Sequence, residues 1–426
     1  MKKRVVVTGM GVVSPIGSSL EGFEKSLREG RSGIRFQPEL EKLQFGCHVA
    51  GVAEAEAEKI AGYFSEEQRI GMNSNILFAS VAALDAWKDA GFEVPSPNSE
   101  TVDWDCGALI GTGIGGMDTI GGRLVPMTDA GKVRRLGSTI VEQVMMSGIS
   151  AKVGGLLGLG GQVTSNSCAC STGTEAIAEA ARRIEQGLSV RMLAGGSEGV
   201  SVYAWAGFDA MRVLNKNHNQ FPEKASRPMS ASAGGFIPGS GAGILMLENL
   251  ESAEARGARI YAEIIGKGVN CGGQRMGGSM TAPNPTGVER CIREALRDAE
   301  ISGSEVDAIN GHLTATFADP YEIKNWQNAL QVPAEKFPLI HATKSLIGHA
   351  LGAAGGLEAV ACVIELFKQF IHGSVNCEDV HENIREFERS IVHETRYFPR
   401  LRIMAKASFG FGDVNSCLIF KKWEQE

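Results

Sequence analysis

The chain has 426 residues and 45.3 kDa, with 43% hydrophobic and 21% charged residues, so it is a folded protein too long for one small core. A net charge of −7 and a pI near 5.8 exclude the basic footprint of a nucleic-acid binder, although a local basic patch could still dock an acidic partner. Nine cysteines, odd in number and without a CxxC pair, read as reduced thiols of a cytoplasmic protein rather than as a disulfide framework.

The opening MKKRVVVTGMGVVSPIG imitates a signal peptide, but Gly9, Gly11 and Pro15 interrupt its apolar run and β-branched residues dominate it. It is expected to be a buried first strand and a turn. No apolar run reaches about 18 residues, so no membrane span is expected. Strand-like segments follow at 4–9, 106–111, 191–196, 243–247, 308–311, 340–343 and 403–408. Helical stretches lie at 75–90, 174–186, 285–299 and 357–369, and residues 253–264 read as a helix end passing into a strand. Apolar strands alternating with helices predict an α/β architecture with sheets covered on both faces.

The segment Gly111-Thr-Gly-Ile-Gly-Gly116 satisfies GxGxxG after a strand. Glycines at 121 and 122 argue against a helix there, and no acid follows at about 20 residues. The segment therefore reads as a turn lining a cavity, with a nucleotide-dependent oxidoreductase as the outside alternative. Cys170 lies among small residues (Ser167-Cys-Ala-Cys170-Ser-Thr-Gly173) between an apolar run and a helix. Two readings stand: an inert packed thiol, or a nucleophile whose thiolate and acyl oxyanion are favoured by free N–H groups at the helix tip. Cys168 reads as packing. The Cys170–Ile177 stretch has an echo in His349–Val360, aligning Glu175 with Glu358, and this suggests two halves whose helix tips meet.

His312 follows a strand-like run, and His349 follows Lys344 by five residues. Each could be structural, or the pair could donate hydrogen bonds to a thioester oxygen that becomes an enolate. Lys344 sits among apolar neighbours and could supply a fixed charge. Asp319 and Glu322, spaced i, i+3, suit support of that histidine or lysine as well as an exposed helix start. Ser408-Phe-Gly-Phe411-Gly-Asp413 reads as a core edge or as a glycine-hinged gate. Cys47-His48 lacks metal-ligand spacing, so no metal site is expected.

Together these segments resemble the β-ketoacyl-acyl-carrier-protein synthases of the thiolase fold, most nearly the elongating type II enzymes. The resemblance runs through RVVVTGMGVVSPIG, LIGTGIGG, SCACSTG, AGGSEG, ASRPMSASAGGFIPGSGAG, RGARIYAEIIG, NGHLTATFADPYE, TKSLIGHALGAAG and SFGFGDVN. It implies duplicated βαβαβαββ halves, here 1–255 and 256–426, in a five-layer α-β-α-β-α arrangement. It further implies a 3-oxoacyl-carrier synthase that extends an acyl chain by decarboxylative Claisen condensation, without a cofactor beyond the carrier's phosphopantetheine. A homodimer is expected, a heterodimer being possible. The alternative is a chain-length-setting partner of a synthase.

By motif, the resemblance implies Cys170 as acyl acceptor, His312 and His349 on the malonyl carbonyl, and Lys344 holding the network with Glu322 near it. It implies that the N–H groups of Cys170 and Phe411 form an oxyanion hole and that Phe411 gates the pocket. Ile114 would line the acyl channel, Phe409 the substrate pocket, and Thr314 and Thr316 the pantetheine arm. Lys132, Arg134, Arg135, Arg212 and Lys216 would dock the acyl carrier protein. The chain departs from the family pattern at Leu313, Ala315, Phe317, Asp413 and Val414, and the helix near Arg69 is nearly acidic. These departures make a specialised polyene or polyketide-like pathway a rival to fatty acid elongation.

Overall fold

The computed structural model describes residues 2–424. Its first half contains β1 (Val5–Val13), α1 (Ser74–Asp89), β2 (Cys106–Gly111), α2 (Gly148–Leu157), β3 (Val163–Thr164), α3 (Thr172–Glu185), β4 (Arg191–Glu198) and β5 (Gly241–Asn249). The second contains β6 (Ala262–Cys271), α4 (Pro285–Asp298), β7 (Ala308–Asn310), α5 (Asp319–Leu330), β8 (Leu339–His341), α6 (Ala354–Lys368), β9 (Ile403–Gly410) and β10 (Val414–Lys422). Helix starts follow local chemistry: Asn284 caps α4, with Pro285 at its first turn where no N–H is needed.

The strands pair in the order β8-β7-β9-β10-β6-β1-β5-β4-β2-β3. Outward from the β6–β1 contact, each half makes two antiparallel steps and then two parallel ones. The halves touch edge to edge over residues 5–7 and 262–264 alone. Side chains alternate along each strand, so Leu245 and Leu247 of β5 enter a central core while Ile244 and Met246 enter an outer one. The central core holds α3 and α6 between the two sheet halves; α1 and α2 cover one outer face, and α4 and α5 the other. This gives five layers and puts the tips of α3 and α6 side by side at the centre.

Two expectations need correction. Strand β1 continues through Gly9 and Gly11 to Val13. These glycines do not break it; a Cβ on Gly11 would fall 1.8 Å from the Ala82 carbonyl oxygen, so they let α1 lie against the strand. The GTGIGG segment does lead into helical backbone, from Met117 to Asp129 with a wide turn over Ile120–Leu124. Gly121 is tolerated there because the Tyr203 ring occupies the space a side chain would need. Among the described residues, no helix is long and apolar enough to cross a membrane.

Candidate active site

Cys170 occupies a 3₁₀ turn, Ala169–Ser171, that feeds α3, and Ala169 takes the left-handed φ of +48° to make that turn. The Cys170 Sγ lies 3.1 Å from His349 Nε2, and the sulfur and nitrogens of Cys170, His312 and His349 fall within 4.8 Å of one another. The expectation that the helix tip ionises this thiol does not hold. Burial pushes the thiol up to about 11, outweighing the Lys344 charge and the Phe411 N–H that act to lower it. Cys170 therefore rests as a thiol beside two neutral imidazoles.

The Leu351 N–H donates to His349 Nδ1 at 3.3 Å, so the neutral ring carries its proton on Nε2, facing the sulfur. Burial first, and then the charges of Lys344 and Lys406, hold His349 well below the ordinary histidine range. His312 is lowered in the same way, with His349 adding to the effect, and its Nδ1 is buried without a hydrogen-bond partner. Both rings thus stay neutral at physiological pH and can donate to an oxygen placed between them.

Charge is concentrated behind the histidines. Lys344 donates to Glu358 Oε1, and Lys406 pairs with Glu358 Oε2 at 2.7 Å; all three side chains are buried. The carboxylate partner of Lys344 is thus Glu358, not Glu322. Glu322 instead accepts the N–H groups of His312 (2.6 Å) and Leu313 (2.7 Å), while Asp319 accepts those of Thr314 (2.9 Å), Ala315 (3.1 Å) and Met229 (2.9 Å). These carboxylates hold a strained turn in which Leu313 and Ala315 have φ of +23° and +62°.

A cavity of about 470 Å³ opens over Cys170, and His312, His349, Thr314, Thr316, Glu322, Phe409 and Phe411 line it. Gly410 passes so close that a Cβ there would sit 3.0 Å from the Cys170 nitrogen, which places the Phe411 amide beside the sulfur. Ile114 does not line this cavity; it packs in the cluster of Phe236 and Leu351. Nor does the GTGIGG turn line it, because its amides are turned toward Glu198. That carboxylate accepts from the N–H groups of Gly113 (2.8 Å), Ile114 (3.3 Å) and Gly352 (2.9 Å), occupying the place a phosphate would need.

Lys132, Arg134, Arg135, Arg212 and Lys216 are all exposed. Arg212 stands between Met211 and Val213 on the cavity wall, whereas the other basic turn does not reach it. The donor atoms of Cys170, His312 and His349 lie within 4.8 Å of one another, as do those of the buried His341, Glu365 and His372, two groupings that sequence spacing did not suggest. In the first set an ion would consume the nucleophile. In the second, His341 separates its partners, with Nδ1 3.1 Å from His372 Nε2 and Nε2 3.4 Å from Glu365, which suits a proton chain better than one metal. Sequence reasoning missed Glu198, Glu358 and Lys406 as site residues. A lone lysine within the apolar run 403–409 was the available signal for Lys406, and Glu358 was visible only as an alignment anchor.

Comparison with known proteins agrees with this geometry. The profile of the "Beta-ketoacyl synthase, N-terminal domain" matches residues 2–253, and that of the "C-terminal domain" matches 261–378. The 3-oxoacyl-[acyl-carrier-protein] synthase 2 of Vibrio harveyi is 36% identical over 425 residues, covering 99% of each chain. Among solved structures, the ishigamide ketosynthase/chain length factor superposes with a TM-score of 0.88 at 29% identity, covering 100% of both chains. A type II ketosynthase bound to its acyl-carrier protein (AntDE:AntF) superposes with a TM-score of 0.86 at 28% identity, again covering 100% of both chains. The chain belongs to the β-ketoacyl synthase family: it is a thiolase-fold acyltransferase of the condensing type, which forms carbon–carbon bonds between acyl thioesters.

Proposed function

We propose that the chain extends an acyl group carried on Cys170 by two carbons, using malonyl thioester delivered on an acyl carrier protein. The Cys170 sulfur attacks the incoming thioester carbonyl; the bond to the carrier's pantetheine sulfur breaks, and the thiol proton leaves with that sulfur. The N–H groups of Cys170 and Phe411 hold the oxyanion. Malonyl thioester then loses CO2, and the electron pair of the broken C–C bond passes to its carbonyl oxygen, held by His312 and His349. The enolate carbon attacks the acyl–Cys170 carbonyl, the C–S bond breaks and the sulfur leaves as a thiolate, which takes a proton from water to restore the thiol. Hydrogen bonds from neutral imidazoles strengthen as that charge develops, which is where they accelerate the reaction.

The observation that carries this reading is the convergence of Sγ with two neutral imidazoles beneath an apolar cavity. Thr314 and Thr316, whose hydroxyls lie 3.0 Å apart on the wall, suit the polar pantetheine arm, and Phe409 and Phe411 suit the acyl chain and its gate. The exposed basic groups Lys132, Arg134, Arg135, Arg212 and Lys216 suit an acidic carrier. The intact nucleophile speaks against a chain-length partner without catalysis. A dimer is proposed through the β3 edge, where exposed Trp104 and Val102 pack beside Gly160. The nine free cysteines support a reducing, cytoplasmic setting. The two units are placed at 1–255 and 256–426. Incubation with a panel of acyl carriers and intact-mass measurement tests the reading: acyl adducts form on the wild type and vanish in Cys170→Ala. Adducts that persist in that variant would defeat it.

A further inference from the structure

Lys406 is a buried ammonium for which the reaction as described has no use. It lies on β9, fully buried, donating to Ser408 Oγ at 2.9 Å and to the Ala407 carbonyl, with Glu358 Oε2 2.7 Å away as its ion-pair partner. Each Glu358 oxygen therefore faces its own lysine; burial lowers the Lys406 pKa and the Glu358 charge acts against that, so with both lysines protonated the group carries one net positive charge. The connection continues toward the nucleophile. The Ser408 hydroxyl meets Thr174 Oγ1 at 2.8 Å on α3, and its carbonyl accepts from Ser171 Oγ at 3.1 Å, next to Cys170.

We propose that Lys406 is a positioning residue for the condensation: a fixed internal cation that keeps His312 and His349 in their neutral donor form and ties Glu358 to the nucleophile turn. The inference rests on the roles proposed above for the two histidines. The charged and titratable groups around the rings are Lys344 before α6, Glu358 on α6, Lys406 on β9, Glu322 and Asp319 on α5, and Cys170 and Glu198 on the other side. Glu322 and Asp319 are occupied with backbone N–H groups, so the unbalanced charge near the rings is the second ammonium. Without it the remaining Lys344–Glu358 pair is neutral, and protonation of either ring meets less repulsion.

The experiment compares wild type with Lys406→Met, which keeps the chain length and leaves Glu358 its Lys344 partner. It reads decarboxylation of malonyl pantetheine thioester against pH, together with the imidazole titrations by NMR. The acid limb and the titrations of His312 and His349 should both move up by roughly one pH unit. A folded variant whose limb and titrations stay in place overturns the proposal, even if its rate falls, since a merely structural role lowers the rate without moving either. If Lys406→Met does not fold, Lys406→Gln, which keeps a donor toward Ser408 and loses the charge, is read in the same way: a limb and titrations that move up support the proposal, and ones that stay in place overturn it. Failure of the underlying reading looks different, because His349→Ala would then decarboxylate normally whatever Lys406 does to the NMR titrations.

Discussion

The turn that carries Cys170 and the turn that follows His349 are the same backbone device used for opposite ends. Each is a 3₁₀ turn opening on a non-glycine residue at φ +48°, Ala169 or Leu351, and each runs straight into a central helix. The helix tips interlock so closely that a Cβ on Gly355 would sit 2.4 Å from the Thr174 nitrogen. Their surroundings differ. The cysteine turn is lined by the hydroxyls of Ser171, Thr172 and Thr174, whereas the histidine side holds Lys344, Glu358 and Lys406. On the proposed roles one half supplies a neutral nucleophile and the other the fixed charge, so capture of the acyl group and decarboxylation should be separable by mutation.

The largest expected effect follows from that separation. Cys170→Ala should lower condensation by on the order of 10³-fold or more while malonyl decarboxylation persists, and His349→Ala should abolish both. Product analysis by mass spectrometry checks this, and equal loss of both activities in Cys170→Ala would erase the division of labour. Next comes the charge. Glu358→Ala leaves two buried ammoniums unpaired and should cost about 3–5 kcal/mol in urea unfolding. On the sister helix, Glu175→Ala, one position out of register with it, removes a half-buried carboxylate and should cost under about 1 kcal/mol. Similar costs at the two positions would show that the halves are electrostatically alike.

The interlock itself can be tested at smaller scale. Gly355→Ala should destabilise by about 1–3 kcal/mol and reduce condensation more than acylation, because it pushes the two helix tips apart at Thr174 and so separates His349 from the sulfur. Gly173→Ala, whose Cβ would sit 2.6 Å from the Gly356 nitrogen, should do the same from the other side. Matched melts and half-reaction rates decide it; a variant that melts normally and condenses normally means the helix tips have room to move.

Much of this was legible in the residues, and the parts that were not have physical reasons. Period and glycine turns located seven strands and four long helices within a few residues, because both sheet faces are buried and composition reports that directly, but they passed over β10, α2 and α5. The helix echo was visible but one residue out of register: the shared turns align Ala169 with Leu351 and Thr172 with Ala354, so Glu358 has no true counterpart in Glu175. The Lys344–Glu358 pair was missed because its partners lie on separate elements, and the family resemblance drew attention to Glu322 instead. Thiol ionisation failed as an expectation because a helix tip argues for thiolate only where water or a strong cation offsets burial.

The smallest effect concerns Glu322, which the comparison of halves leaves as an isolated carboxylate on the charged side. Burial, chiefly, raises its pKa to about 7, and Asp319 beside it is raised to about 6. Between about pH 4.5 and 7 the unfolded chain has released the Glu322 proton while the folded protein retains it, so folding stability contributed by this group falls as pH rises through that window. Glu322→Gln cannot titrate. It loses one of the two hydrogen bonds to His312 and Leu313 at every pH, but it escapes the cost of burying a charge above pH 7. The stability gap between wild type and Glu322→Gln should therefore narrow by about 1–2 kcal/mol from pH 5 to pH 8. Urea unfolding at the two pH values measures it, and a gap that is constant with pH would mean that Glu322 is ionised throughout, with the N–H donors of His312, Leu313 and the Trp326 indole outweighing its burial.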